Sequence, residues 1–248
     1  MIGDFLFLDD NLCLFCKDEE KEKFSLCKTC LSKLDYVDNE FEILNYKARV
    51  LYFYNPFMAH LIGDFKFNRN TSLYKIFGQM IYDYIKEKSI DDFDYILTTP
   101  SSKSVLINRG FDHIKLICDY FIDETNMKYL ENFKKIKNTK AQHKLSREER
   151  AKNLKNSFEF YGDLTGKKVL IFDDIITSSN TMKEIIRTIE KENPKNIEIL
   201  ALASSHRVKN KVRGHLIFYA FSFSLSFKNS CIFTASAISI LFLKTLHP

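Results

Sequence analysis

Tryptophan is absent from this chain of 248 residues, and glycine occurs only 7 times. Beside 23 phenylalanines, that profile reads as a codon or genome bias towards Phe, Ile, Lys and Asn, and it carries little functional weight. Two other absences exclude more. The first ten residues are apolar but lack a basic start and carry Asp4, Asp9 and Asp10, so they do not make a secretion signal. A cytoplasmic chain is expected. Near the other end the apolar run 216–246 is broken by Lys228 and Asn229, and its uninterrupted segment Cys231–Leu243 has 13 residues. That is short of the roughly 20 needed to span a bilayer. Membrane contact, a tail packed on the domain and a non-homologous end produced by a frameshift all stay open for residues 214–248.

What is present is ordinary globular material, 45% hydrophobic and 28% charged, which excludes a disordered chain. The length allows one well-buried core with something small attached. A formal charge of +5 suits phosphate or nucleic-acid ligands without demanding either.

Apolar periodicity predicts a strand at 47–54, a helix after Pro56 that ends in Phe65-Lys66-Phe67, and an amphipathic helix over 71–88. A strand at 94–98, a loop carrying Pro100 and Arg109-Gly110, and a helix over 112–122 follow. The stretch 134–156 is the most polar of the chain and reads as a mobile surface segment. A strand at 168–172, a helix at 181–192 and a strand at 197–203 then form a βαβ unit. The natural fold class is α/β, a parallel sheet flanked by helices.

Four of the six cysteines are bunched near the N-terminus as Cys13-x2-Cys16 and Cys27-x2-Cys30, ten residues apart. In a reducing compartment that bunching favours metal ligands over disulfides. Four thiolates satisfy tetrahedral Zn2+ and fill its shell, so the ion would be structural, a staple for residues 1–40. Cys118 reads as core.

The most informative stretch is Val169-Leu170-Ile171-Phe172-Asp173-Asp174-Ile175-Ile176-Thr177-Ser178-Ser179-Asn180-Thr181. Four apolar residues make a buried strand, and two carboxylates follow where the strand is expected to leave the sheet. Hydroxyl residues then lead into a helix whose first-turn N–H groups and dipole can bind a phosphate. Thr177, Ser178 and Thr181 can add side-chain donors. Adjacent carboxylates suit the vicinal hydroxyls of a ribose, directly or around Mg2+. The plain alternative is a solvated acidic turn followed by a hydroxyl N-cap.

This stretch resembles the thirteen-residue diphosphoribosyl-binding signature of type I phosphoribosyltransferases. With the cysteine module in front, the layout resembles the late competence protein ComF family. The resemblance implies a zinc-binding knuckle over 1–40, a phosphoribosyltransferase-like domain over 41–213, and a site for phosphoribosyl pyrophosphate with Mg2+. It puts Asp173 and Asp174 on the ribose hydroxyls, and Thr177, Ser178, Ser179, Asn180 and Thr181 around the 5′-phosphate. One departure from the signature matters, because its glycine falls at Ser179. No glycine occurs between Lys167 and Arg213, so a loop that wants φ > 0 must find it elsewhere, and Asn180 is the nearest tolerant residue.

Upstream, Pro100 with Arg109-Gly110-Phe111-Asp112-His113 resembles the family's Pro…Arg-Gly-Phe-Asn-Gln element, which implies that Arg109 and Gly110 face the pyrophosphate. Asp112 and His113 stand where Asn and Gln are usual. Lys66 matches a Lys-(Phe/Tyr) position, although a lysine lying along two aromatics explains it equally well. Lys140, Gln142, Ser146, Arg150 and Asn153 resemble a flexible-loop run. The resemblance implies transfer of phosphoribosyl to a nitrogen acceptor in natural competence. A different class, a non-catalytic accessory protein that contacts single-stranded DNA or other competence proteins, is permitted by the knuckle and the basic 134–156 run. No base or nucleophile for the acceptor is evident.

Overall fold

The computed structural model describes residues 11–68, 70–136 and 154–205. The chain divides into two units, Met1–Lys209 and Asn210–Pro248, and every described residue belongs to the first. The described strands are β1 (Tyr36–Ile43), β2 (Tyr46–Phe53), β3 (Tyr95–Thr98), β4 (Lys128–Tyr129), β5 (Phe133–Lys135), β6 (Phe158–Phe160), β7 (Lys168–Ile176) and β8 (Asn196–Ser204). The α-helices are α1 (Lys28–Leu31), α2 (Pro56–Phe67), α3 (Tyr74–Lys88), α4 (Lys103–Arg109), α5 (His113–Cys118) and α6 (Asn180–Ile189).

Six strands form one sheet in the order β1-β2-β8-β7-β3-β4, while β5 and β6 pair as a separate antiparallel ribbon. From β2 to β4 all neighbours are parallel, and β1 runs antiparallel on the edge. Alternation along β7 explains why the sheet needs cover on both faces. Leu170 and Phe172 join one core cluster with α2, α3 and α5, whereas Val169 and Ile171 join another with Ile185, Ile186 and Ile189 of α6. Such near-continuous apolar runs are what a doubly covered parallel sheet requires. The cysteine module belongs to the first cluster: Cys13, Leu26, Cys27 and Cys30 are buried in the same core as Met58 and Leu61 of α2.

The structure differs from the sequence prediction at several places, each with a local cause. The hairpin β1–β2 turns at Leu44 and Asn45, both at positive φ (52° and 68°), the geometry of a two-residue hairpin loop. Leucine gives no turn signal, so β1 is not legible. Helix α4 occupies the expected loop after Pro100. Ser102 caps it by accepting from the Val105 N–H at 3.4 Å, and Gly110, at φ +85°, ends it. None of its residues is buried, so it has no apolar stripe to read. Helix α5 stops at Cys118, short of the expected 122. The polar stretch begins inside β5, and its residues 137–153 lie outside the described residues, as do the tail and Lys140, Gln142, Ser146, Arg150 and Asn153. Among the described residues no helix is long and apolar enough to cross a membrane.

Candidate functional site

Strand β7 runs further than its apolar residues do. It stays paired with β8 through Asp173, Ile175 and Ile176, so the acidic pair lies within the strand and the loop proper is Thr177 to Ser179. On the other side β3 stops pairing at Thr98, opposite Phe172. Thr99 makes the last stitch, donating from its N–H (3.0 Å) and its Oγ1 (3.2 Å) to the Phe172 carbonyl. Pro100 has no N–H to carry the ladder on. The sheet is therefore notched beside Asp173, at the carboxyl ends of the strands, where open α/β sheets hold ligands.

Three helices aim a lysine, a histidine and an arginine at this notch. Lys66, in the last turn of α2, forms an ion pair with Asp174 Oδ2. His113, the first residue of α5, places Nε2 3.5 Å from the same oxygen. Arg109, at the end of α4, bonds through Nη1 to His113 Nδ1 and lies with its guanidinium carbon 5.8 Å from the Phe67 ring centroid. Asp112 holds α5 in place as its N-cap, accepting from the Ile114 and Lys115 N–H groups. An aspartate does that work as well as the family's asparagine.

The two carboxylates are driven apart. Burial works against ionising Asp174, which is 5% exposed, but Lys66 and His113 outweigh it and hold its carboxyl far below the usual range. Burial, and then the charge of Asp174, push Asp173 well above that range. Burial also lowers His113 and lowers Arg109. The two neighbouring carboxyls are thus shifted in opposite directions, as close like charges are.

The loop after β7 finds its left-handed residue without glycine. Ser179 itself sits at φ 54°, ψ 0°, and Asn180 is the first residue of α6, so the expectation that Asn180 supplies φ > 0 is corrected. Ser179 gives α6 no side-chain cap, which leaves its first turn open to an outside acceptor. Thr177 is exposed, while Ser178, Asn180 and Thr181 are half-buried. Among the described residues the buried side-chain polar atoms that accept or donate no aligned hydrogen bond are Asp174 Oδ2 and Asn180 Nδ2. One is an acceptor and one a donor, six residues apart in this loop. Gly110 faces open space. It also ends α4 in a left-handed conformation.

At the other end of α2 the sulfur atoms of Cys13, Cys16, Cys27 and Cys30 all lie within 4.8 Å of one another. Cys16 Sγ and Cys27 Sγ are 3.6 Å apart, and all four cysteines are free of disulfides. Metal–sulfur bonds of about 2.3 Å put tetrahedral corners roughly 3.8 Å apart, so the donor set fits a tetrahedral ion. Cys27 Sγ also accepts from the Cys30 N–H at 3.4 Å. Phe15 carries the module onto α2, with edge-on ring contacts to Phe57 (5.3 Å) and His60 (5.2 Å).

Of the residues the sequence singles out, the structure gathers Lys66, Arg109, Asp173, Asp174 and the start of α6 at one strand end. His113 was not among them. Its only sequence signal is its place beside Arg109-Gly110 where the family carries glutamine.

A family model described as phosphoribosyl transferase domain matches residues 79–228. Competence protein F of Haemophilus influenzae is 24% identical over 215 residues, covering 81% of this chain and 93% of that protein. The DNA utilization protein YhgH of Salmonella typhimurium is 22% identical over 154 residues, 60% of this chain and 68% of that protein. Competence protein ComFC of Streptococcus pneumoniae is 24% identical over 164 residues, 62% and 66% of the two chains. With its notched parallel sheet and acidic strand end, this chain belongs to the phosphoribosyl transferase domain family. The four-cysteine cluster ahead of that domain makes it a member of the ComF family of competence proteins.

Proposed function

We propose that this protein binds phosphoribosyl pyrophosphate, or a related ribose phosphate, with Mg2+ at the carboxyl ends of β3 and β7. The observation that carries the reading is two buried atoms without an aligned hydrogen bond, Asp174 Oδ2 near the end of β7, which is ion-paired to Lys66, and Asn180 Nδ2 at the start of α6. The open Asn180 donor alone costs about 1–3 kcal/mol. A ligand with hydroxyls at one end and a phosphate at the other satisfies both. Asp173 and Asp174 accept from the ribose hydroxyls; Thr177, Ser178, Ser179, Asn180 and Thr181 surround the 5′-phosphate; Arg109, Lys66 and the Gly110 turn face the pyrophosphate. Mg2+, when bound, offsets the pyrophosphate charge. In the transfer this reading implies, a nitrogen nucleophile bonds to ribose C1 as the C1–oxygen bond breaks, and the bonding pair leaves with pyrophosphate. The protein orients and stabilises charge without becoming covalently attached. Structural zinc fills the cysteine cluster. The working compartment is the cytoplasm, and relatives named for competence and for DNA utilization support a role in DNA uptake.

Isothermal titration with phosphoribosyl pyrophosphate and Mg2+, beside the Asp173→Asn/Asp174→Asn double variant, tests the reading. Binding that the double variant loses supports it. A folded, zinc-loaded protein that takes up no heat sinks it.

A second reading, a non-catalytic protein that contacts single-stranded DNA, is favoured by one feature. A cleft of about 550 Å³ beside the notch is lined by Lys103, Lys134 and Lys135 together with Ser101, Ser102 and Phe133, with no carboxylate. Such a cleft suits a phosphodiester backbone. Affinity for an oligonucleotide that falls steeply with salt and weakens in Lys134→Ala/Lys135→Ala would favour this reading over the first.

A further inference from the structure

A guanidinium can only donate. Because Arg109 Nη1 bonds His113 Nδ1, that nitrogen holds a lone pair and the ring proton sits on Nε2. Nε2 is the atom that lies 3.5 Å from Asp174 Oδ2. The ring is 6% exposed, with the Phe65 ring 6.3 Å away. The charged groups that face it are Lys66 from α2, Arg109 from α4 and Asp174 from β7, with Asp112 beside it in sequence. A chain of contacts therefore runs Arg109–His113–Asp174–Lys66, and it draws on four separate elements.

The geometry points to His113 as a positioning residue: locked by Arg109 as its Nε2–H tautomer, it fixes the orientation of Asp174 for the ribose hydroxyls. This inference rests on the ribose-phosphate reading for its ligand and on the contacts above for everything else. Lys66 alone cannot orient the carboxylate, because an ammonium on a flexible stem attracts it from any direction. The planar ring, held at its far nitrogen, presents a single N–H along one line. Oδ2 takes no aligned hydrogen bond from either neighbour, so it keeps room for a hydroxyl donor.

The test has two arms on the full-length, zinc-loaded protein. Without ligand, nitrogen-15 NMR of the histidine rings is expected to show His113 with a bare Nδ1 and a protonated Nε2. The Asp174 carboxyl carbon resonance is expected to move in His113→Phe and to stay in His113→Gln, whose amide supplies both an acceptor and a donor. With phosphoribosyl pyrophosphate and Mg2+, His113→Phe is expected to bind roughly tenfold more weakly, from the loss of an oriented contact to a charged group that falls short of an aligned hydrogen bond, while His113→Gln stays within about threefold of the parent. Unchanged melting temperature and zinc content in His113→Gln keep the comparison sound if His113→Phe folds poorly. The Nδ1–H tautomer, or an Asp174 resonance indifferent to His113→Phe, overturns the inference whether or not the probe binds. Failure of the parent protein to bind, with the ligand-free results intact, overturns the ribose-phosphate reading and leaves the hold of His113 on Asp174 standing.

Discussion

The cysteine module and the acidic strand end lie at opposite ends of α2, and they settle buried polar groups in opposite ways. The module gathers four thiols within 4.8 Å of one another, a donor set suited to a tetrahedral metal ion. The strand end gathers two carboxylates and answers them with Lys66, His113 and Arg109. One cluster is complete only with something from outside, and the other is largely completed by the chain. Loss of the external partner should therefore be felt as loss of structure at the module and as loss of ligand at the strand end.

The sharpest break in that comparison is removal of the zinc proposed for the cysteine cluster. Cys27→Ser, or a strong chelator, should unfold residues 11–35, because structural zinc binding is worth about 10–16 kcal/mol in small modules. Through Phe15 on Phe57 and His60 the damage should reach the start of α2. Hydrogen exchange would register it as lost protection in the module and the first half of α2, with β7 and β8 keeping theirs. If α2 is undisturbed, the two ends are independent and the contrast is only local.

Next in size is Lys66→Met. The side chains of Lys66 and Asp174 are 16% and 7% exposed, and removing one partner of a buried ion pair costs about 3–5 kcal/mol. The sign with pH follows from Asp174, whose folded value is depressed. Its contribution is present above the unfolded carboxyl value of about 3.9 and is lost as pH falls through the lower folded value. The deficit of Lys66→Met should accordingly be large from neutral pH down to about pH 4 and shrink only below it. Chemical denaturation at several pH values measures it. A deficit that does not vary with pH would mean that Lys66 acts by packing its stem and not by its charge.

The same contrast explains what could be read from the sequence. A C-x2-C pair acts across three residues, so its spacing displays its chemistry. The βαβ unit is legible for a similar reason, since the apolar runs of β7 and β8 and the face of α6 are local patterns. The ion pair of Lys66 with Asp174 spans more than a hundred positions, and nothing in the residues around 66 names its partner. His113 looks like any helix-start histidine until α4 brings Arg109 onto its far nitrogen. Helix α4 and strand β1 escape because neither has a clean apolar period: one is wholly unburied, and the other is an edge strand. The run of β7 through Asp173 and Asp174 escapes because carboxylates usually mark the end of a strand, and here pairing with β8 continues past them.

Within the strand-end site, Asp173 should behave as a residue kept at a cost to stability. Its folded value is raised, by burial first and then by Asp174, so its contribution is favourable below about pH 3.9 and is lost as pH rises through the folded value. Asp173→Asn removes the ionisable group and keeps the Oδ1 that accepts from the Asp174 N–H at 2.9 Å. We expect about 1 kcal/mol of added stability at neutral pH, with ribose-phosphate binding weakened. A variant less stable than the parent in thermal melts would show that Asp173 is satisfied by the chain, as Asp174 largely is.

The smallest effect is the most local. Ser179 holds φ 54° where the family signature has glycine, and a non-glycine residue in that region costs about 1 kcal/mol. Ser179→Gly should release that strain, less the extra freedom glycine gives the unfolded chain, for a net gain of a few tenths of a kcal/mol and a melting temperature about 1–2 °C higher. Binding of phosphoribosyl pyrophosphate should hold or improve, because the backbone already has the conformation that glycine would give it. If affinity falls instead, the Ser179 hydroxyl is itself a phosphate donor, and the departure from the signature is a substitution of one contact for another and not a loss. Titration of the variant beside Thr181→Val separates the two, since only a general loosening of the loop would weaken both alike.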